Sequence, residues 1–189
     1  MKKKISWLVA LLILAGMEQT YASSVTPDCQ ERANAFLAHP NQKNLALLRQ
    51  DASSQCWVII GNSNANLKAL LASVSSGNYS AASYLVANVK SLGGGNLEDA
   101  LVALGGFSDT HMTDLLTFAN HGLISEHELA DALTMRPLSM SDNQAAQMSA
   151  MQTRRSRVNK VTRPELSHEK SVALKAIDDF INEIKSSQS

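Results

Sequence analysis

Residues 96–133 read NLEDALVALGGFSDTHMTDLLTFANHGLISEHELADAL, and no other part of the chain states its structure as clearly. Apolar residues recur there at three- and four-residue spacings, the pattern of helices that bury one face. A capping residue precedes each of three runs: Asn96, Ser108 and Ser125. Glycines at Gly105–Gly106 and Gly122 follow the first two runs, where helices commonly end. The stretch therefore predicts three short consecutive helices.

Similar apolar stripes continue on both sides of this stretch. Before it, the pattern predicts a helix from Pro27 to just before Pro40, one over 42–60, one ending near Gly77 and one over 79–89. After Pro137, it predicts a helix beginning at Ser141 or Asp142 and a last helix reaching about residue 185. Strand-like alternation is nearly absent. We therefore expect an all-α domain of roughly eight to nine short helices, stacked as helical hairpins.

The first 22 residues have the features of a secretory signal peptide. Lysines at positions 2–4 precede an apolar run over 5–15, which is too short to span a membrane. Small residues at Thr20 and Ala22 fit cleavage after Ala22, and an uncleaved anchor is the alternative. We expect an exported, periplasmic protein whose helical domain covers 23–185, with a frayed tail over 186–189.

Two cysteines, Cys29 and Cys56, lie in the expected mature part. An even number of cysteines in an exported chain favours a disulfide, which would close a loop of 28 residues. A redox or nucleophilic cysteine is the alternative, but there is no Cys-x-x-Cys motif and no basic neighbour to lower a thiol pKa. We expect the bridge to join the first two helices as a hairpin over 23–61. An array of short helices over 64–136 then follows, and a basic and a C-terminal helix over 141–185.

The charge is unevenly distributed along the chain. The expected mature part holds 14 basic and 16 acidic residues, a balance that argues against nucleic-acid binding. Residues 62–150 carry three basic and eight acidic side chains, whereas residues 151–189 carry eight basic and five acidic ones. The two parts either attract each other or present surfaces of opposite sign to a partner.

No sequence motif identifies a catalytic, metal or cofactor site. The candidates for metal ligands are three histidines: His111, His121 and His127. His127 and Asp131 resemble the helical pair of a zincin with aspartate in place of the second histidine, but a solvated first helical turn explains them equally simply. The serines fall at caps and turns, without a nucleophile–base arrangement. We therefore expect no catalytic residue, no metal and no cofactor.

A basic cluster follows Met151 and is the strongest candidate for partner binding: Arg154, Arg155, Arg157, Lys160 and Arg163. It suits an acidic partner, anionic lipid headgroups or cell-wall carboxylates. The alternatives are a solvated helix face or neutralisation by the acidic middle of the chain.

Size, compartment and composition together favour a binding protein over an enzyme. The most concrete form is a periplasmic immunity protein that recognises and neutralises an antibacterial toxin delivered between cells. An envelope-associated adaptor or assembly factor, in peripheral contact with the membrane or cell wall through the basic helix, is one alternative. A small hydrolase or metal-binding protein that uses His127 is another.

Overall fold

The computed structural model describes residues 27–51, 54–137, 140 and 142–187, so the expected signal peptide lies outside the described residues. Within them the protein is all-helical, as predicted, with nine α-helices. In chain order these are α1 (Pro27–Ala38), α2 (Gln42–Arg49), α3 (Gln55–Gly61), α4 (Asn64–Ser75), α5 (Tyr79–Asn88), α6 (Gly95–Asn120), α7 (Glu126–Thr134), α8 (Gln144–Asn159) and α9 (Ser167–Ser186). A short 3₁₀ turn, Val89–Ser91, follows α5, and another, Pro164–Leu166, precedes α9.

The predicted disulfide between Cys29 and Cys56 is confirmed. The single helix predicted over 42–60 is wrong, because the chain forms α2 and α3 there, and the bridge therefore joins α1 to α3. The Asp51 carboxylate accepts a hydrogen bond from the Cys56 backbone N–H at 2.8 Å. A short acidic side chain that pairs with a nearby backbone amide competes with helix continuation, and here it accompanies the start of a new helix.

The structure of α6 differs from the prediction made for residues 96–133. The first two predicted helices form one helix of 26 residues, and it is kinked at His111, where φ is −127° and ψ is 42°. Gly105 and Gly106 do not end a helix; a Cβ on Gly106 would lie 2.5 Å from the Ser75 Oγ of α4. They permit close helix packing. Ser108 is not a cap, since its hydroxyl donates to the Gly105 carbonyl at 2.7 Å.

The other predicted helix starts have mixed outcomes. The capping box of Ser125 and Glu128 is confirmed at the start of α7. Asn96 lies inside α6, and the N-cap is Gly94 with a φ of +53°. Helix α8 is capped by Asn143, whose side chain accepts the Ala146 N–H at 2.9 Å, and not by Asp142. The alternative cap at Ser141 lies outside the described residues.

One apolar cluster connects all nine helices, with buried members from Cys29 in α1 to Ile181 in α9. Helix α6 is central, because it packs against α4, α5, α7, α8 and α9. Its buried residues include Leu104, Phe107 and Leu115, each without measurable exposure. Although α6 is long, no helix of the described residues combines the length and apolarity that crossing a membrane requires.

Candidate functional site

The five residues of the predicted basic cluster do not form one surface. Arg154 is 6% exposed and lies in the interior, where its Nη1 donates to the Leu133 carbonyl at 2.7 Å. This carbonyl belongs to the last turn of α7, where unpaired carbonyls favour a cation. Burial lowers the pKa of Arg154, and the neighbouring Asp109 opposes that shift. As a surface contact for a partner, Arg154 is therefore a wrong prediction.

Asp109, on α6, connects two arginines of α8. Its Oδ1 lies 3.5 Å from Arg154 Nε and accepts a hydrogen bond from Arg157 Nη1 at 2.6 Å. The attraction predicted between the acidic middle and the basic C-terminal part is thus realised at Asp109. Two residues of the basic cluster, Arg154 and Arg157, therefore pair with a carboxylate of the same molecule.

The remaining basic residues lie at the surface. Arg155 Nε donates to Asp178 Oδ1 of α9 at 2.6 Å, and this hydrogen bond raises the pKa of Arg155. Arg163 pairs with Glu165, with 2.6 Å between Nη2 and Oε1. Lys160, which directly follows α8, is exposed. Exposed pairs of this kind contribute about 0–1 kcal/mol each and leave the side chains free to exchange partners.

A shallow depression, here called the kink groove, lies beside the break in α6. It has a volume of about 410 Å³ and is lined by residues 108–114 together with Arg157, Lys160 and Val161. At the break, His111 Nδ1 lies 3.0 Å from Asp114 Oδ2, and its ring stacks on Phe107 with 4.7 Å between centroids. The groove therefore presents carboxylate, ammonium and hydroxyl groups side by side.

A second depression, here called the arginine pocket, lies between α4, α6 and α8. Its volume is about 420 Å³, and Arg136 and Arg154 contribute to its wall. The Arg136 guanidinium lies over the Phe180 ring of α9, 4.0 Å from the centroid. Burial lowers the pKa of Arg136, with Glu183 acting in the opposite direction and Arg154 in the same one. Apolar side chains, among them Val102 and Met140, share the wall with these arginines.

The three histidines are not brought together by the fold. His127 Nε2 lies 3.6 Å from Asp131 Oδ2 on the same helix, as the helical spacing predicts. Among the described residues, the one group of three potential metal ligands within reach of each other is Cys29, Asp51 and Cys56. Its two sulfur atoms are bonded to each other, so they cannot act as thiolate ligands in this state.

Sequence reasoning missed Arg136 and Asp109. Arg136 directly precedes Pro137, just after the end of α7, and no periodic pattern covers it. Asp109 follows Ser108, which made it resemble an acidic residue in the first turn of a capped helix. Its position opposite α8 depends on the continuity of α6, which the two glycines concealed.

The depressions around α8 offer guanidinium, ammonium and hydroxyl donors beside apolar walls, which suits the binding of polar and acidic groups. The chain matches no protein-family model, and neither a curated protein nor a solved structure is significantly similar to it.

Proposed function

We propose that the protein is a non-catalytic binding protein of the periplasm that recognises a protein partner through the exposed side of α8. The most concrete form of this proposal is an immunity protein that neutralises an antibacterial toxin. The observation that carries the proposal is that depressions lie on more than one side of α8, each with a basic residue in its wall.

Lys160 and Arg155 are the residues best placed for such recognition. Lys160 lines both the kink groove and a neighbouring depression of about 460 Å³, which Arg155 also lines. Arg155 is engaged by Asp178 in the free protein, and an acidic partner can replace that carboxylate. Arginine favours interfaces because its planar group binds carboxylates with two parallel hydrogen bonds.

The compartment supports the same proposal. A disulfide between α1 and α3 is typical of proteins that function in oxidising surroundings, and the lysine-rich, apolar start of the chain is typical of exported proteins. A helical scaffold with one rigid core presents a preformed surface, and a preformed surface reduces the entropic cost of association.

The test begins with capture from a native envelope extract on immobilised mature protein, followed by reconstitution with the purified captured protein. We expect a stoichiometric complex that is weakened at least tenfold by the double variant Arg155→Ala/Lys160→Ala. The matched control is Lys68→Ala/Lys175→Ala, which removes the same charge from exposed positions outside these depressions. An equal affinity of both double variants would contradict recognition through α8.

The immunity form has its own test. Expression of the protein in the periplasm should protect cells from the captured partner when that partner is toxic there, and the Arg155→Ala/Lys160→Ala variant should protect less well. A captured partner without toxicity would refute the immunity form and would favour the envelope adaptor.

A further inference from the structure

The arginine pocket has the size and wall of a small-molecule site. Its volume of about 420 Å³ falls within the range of roughly 300–1,000 Å³ that ligand pockets occupy. Part of its wall is apolar: Val102, Pro137, Met140 and Ala150. Ser75 supplies a hydroxyl where α4 packs closely against Gly106 of α6. A ligand with a short apolar portion and one polar group fits such a wall.

The charge of the wall is unbalanced. Arg136 and Arg154 line the pocket, and Asp109 is the one acidic residue among the described residues of its wall. Asp109 also receives Arg157, so a single carboxylate is shared by two guanidinium groups, those of Arg154 and Arg157. Arg136 feels the charge of Glu183, which lies outside the wall of the pocket. This net positive charge favours an anionic ligand.

Two donors of Arg136 are unpaired. Arg136 Nε and Nη1 are buried and have no hydrogen-bond acceptor, whereas Arg154 Nε lies 3.5 Å from the Asp109 carboxylate. A buried donor left without an acceptor costs about 1–3 kcal/mol. A protein that retains two such donors on a residue of the pocket wall gains stability when a ligand supplies acceptors there.

The contact with Phe180 does not remove this need. The central carbon of the Arg136 guanidinium lies 4.0 Å from the centroid of the Phe180 ring. This contact attracts the positive charge of the group but gives its buried Nε and Nη1 donors no hydrogen-bond acceptor. A carboxylate offers two acceptor oxygens in the geometry that a guanidinium binds.

We propose that the arginine pocket binds a small aliphatic carboxylate, with the carboxylate at Arg136 and Arg154 and the apolar chain against Val102, Met140 and Ala150. This site goes beyond the recognition of a protein partner and does not depend on it. The carboxylate supplies the missing acceptors, and the apolar wall selects against a free inorganic anion.

Isothermal titration of the mature, disulfide-bonded protein tests the proposal with three probes at constant ionic strength. Butyrate carries the expected carboxylate and a short chain, butyramide has a similar shape without charge, and inorganic phosphate has charge without a chain. We expect saturable binding of butyrate, with butyramide and phosphate each at least tenfold weaker. Absence of saturable butyrate binding, or equal binding of either other probe, would overturn the proposal.

Three variants locate the site. Arg136→Gln removes one guanidinium, and Ala150→Leu fills the pocket while keeping both arginines; each should weaken butyrate binding at least tenfold. Arg163→Gln removes the same charge from an exposed residue outside the pocket wall and should leave the affinity unchanged. Melting curves verify that each variant is folded. Unchanged affinity in both folded pocket variants would place the butyrate elsewhere and refute the assignment.

Discussion

Gly105 lies where α7 and α8 both come close to α6. A Cβ built there would collide with the backbone carbonyl oxygen of Ala132 and would lie 3.0 Å from Arg154 Nη2. Alanine is a better helix former than glycine by about 1 kcal/mol, so propensity alone predicts that Gly105→Ala stabilises α6. We expect the opposite, a loss of about 1–3 kcal/mol in the free energy of unfolding, because the carbonyl belongs to a rigid helix. Urea denaturation measures it.

Gly93→Ala is the matched control for this substitution. A Cβ at Gly93 meets nothing within 4 Å, and its φ is not positive. This variant should therefore unfold within about 0.5 kcal/mol of the parent protein. If Gly105→Ala were as stable as Gly93→Ala, the close approach of α6 and α7 would be wrong.

Arg154 gives a second prediction of the same kind. Arg154→Met keeps an unbranched side chain with a similar helix propensity, but it leaves the Leu133 carbonyl without its donor and removes one cation from Asp109. We expect a loss of about 2–4 kcal/mol in the free energy of unfolding, measured by urea denaturation. Arg155→Met, on the exposed side of the same helix, should cost less than about 1 kcal/mol. Equal losses would contradict the interior position of Arg154.

These residues mark what local sequence patterns can and cannot predict. The Ser125–Glu128 capping box was predictable because both partners lie within one helical turn. The interior position of Arg154 was not, because it depends on the end of α7 and on Asp109, both distant in sequence. An arginine in a polar run is usually exposed, so the pattern favoured a surface cluster.

The contact between α7 and α9 carries a pH-dependent pair. His168 Nε2 lies 2.7 Å from Glu126 Oε1, and this hydrogen bond, with the charge of Glu126, raises the pKa of His168. The stabilisation is fully present below the ordinary histidine pKa of about 6.5 and is lost as the pH rises through the raised value. His168→Gln should therefore destabilise the protein at about pH 5.5 and have almost no effect at about pH 9. Denaturation at both pH values measures the difference.

A second pair of variants tests whether the pH dependence comes from the pairing of His168 with Glu126 and not from His168 alone. In a protein that already carries Glu126→Gln, His168→Gln should have the same small effect at both pH values. A pH-dependent effect that persists without the Glu126 carboxylate would assign it to another group. An NMR titration of His168 should also give a pKa above the ordinary value.

Helix content was predictable and helix boundaries were not, for one physical reason. Glycine ends a helix where the backbone needs a left-handed residue, and it also lies inside a helix where a neighbour comes too close for a side chain. Gly105 and Gly106 belong to the second class, and only Ser75 and Ala132 in other helices reveal it. The apolar stripes of α6 were correctly identified, since periodicity depends on burial and not on where a helix ends.

One part of the candidate site was also predictable from the sequence, and another part was not. The basic helix α8 was identified from its composition, but the arginine pocket is made by residues of α4, α6 and α8 with Arg136 from beyond the end of α7. No single segment of the chain contains all of these residues, so no sequence motif predicts the pocket. Its parts meet because α6 passes through the centre of the helical array and the other helices pack around it.

The disulfide closes the N-terminal part of this array. It links α1 to α3 across a sequence separation of 27 residues. Phe36 of α1, Leu45 of α2 and Ile60 of α3 are buried in the common core. On the chain-entropy model the bridge contributes about 3–4 kcal/mol to the free energy of unfolding. For a domain of this size, removal of the bridge should lower the Tm by roughly 10 °C. We expect reductant to produce this shift in a calorimetric scan.

The double variant Cys29→Ala/Cys56→Ala is the control for the effect of the reductant. It should melt at the same lowered temperature, and reductant should not lower its Tm further. A parent protein whose Tm is unaffected by complete reduction, verified by thiol titration, would show that apolar packing alone fixes α1 against α3.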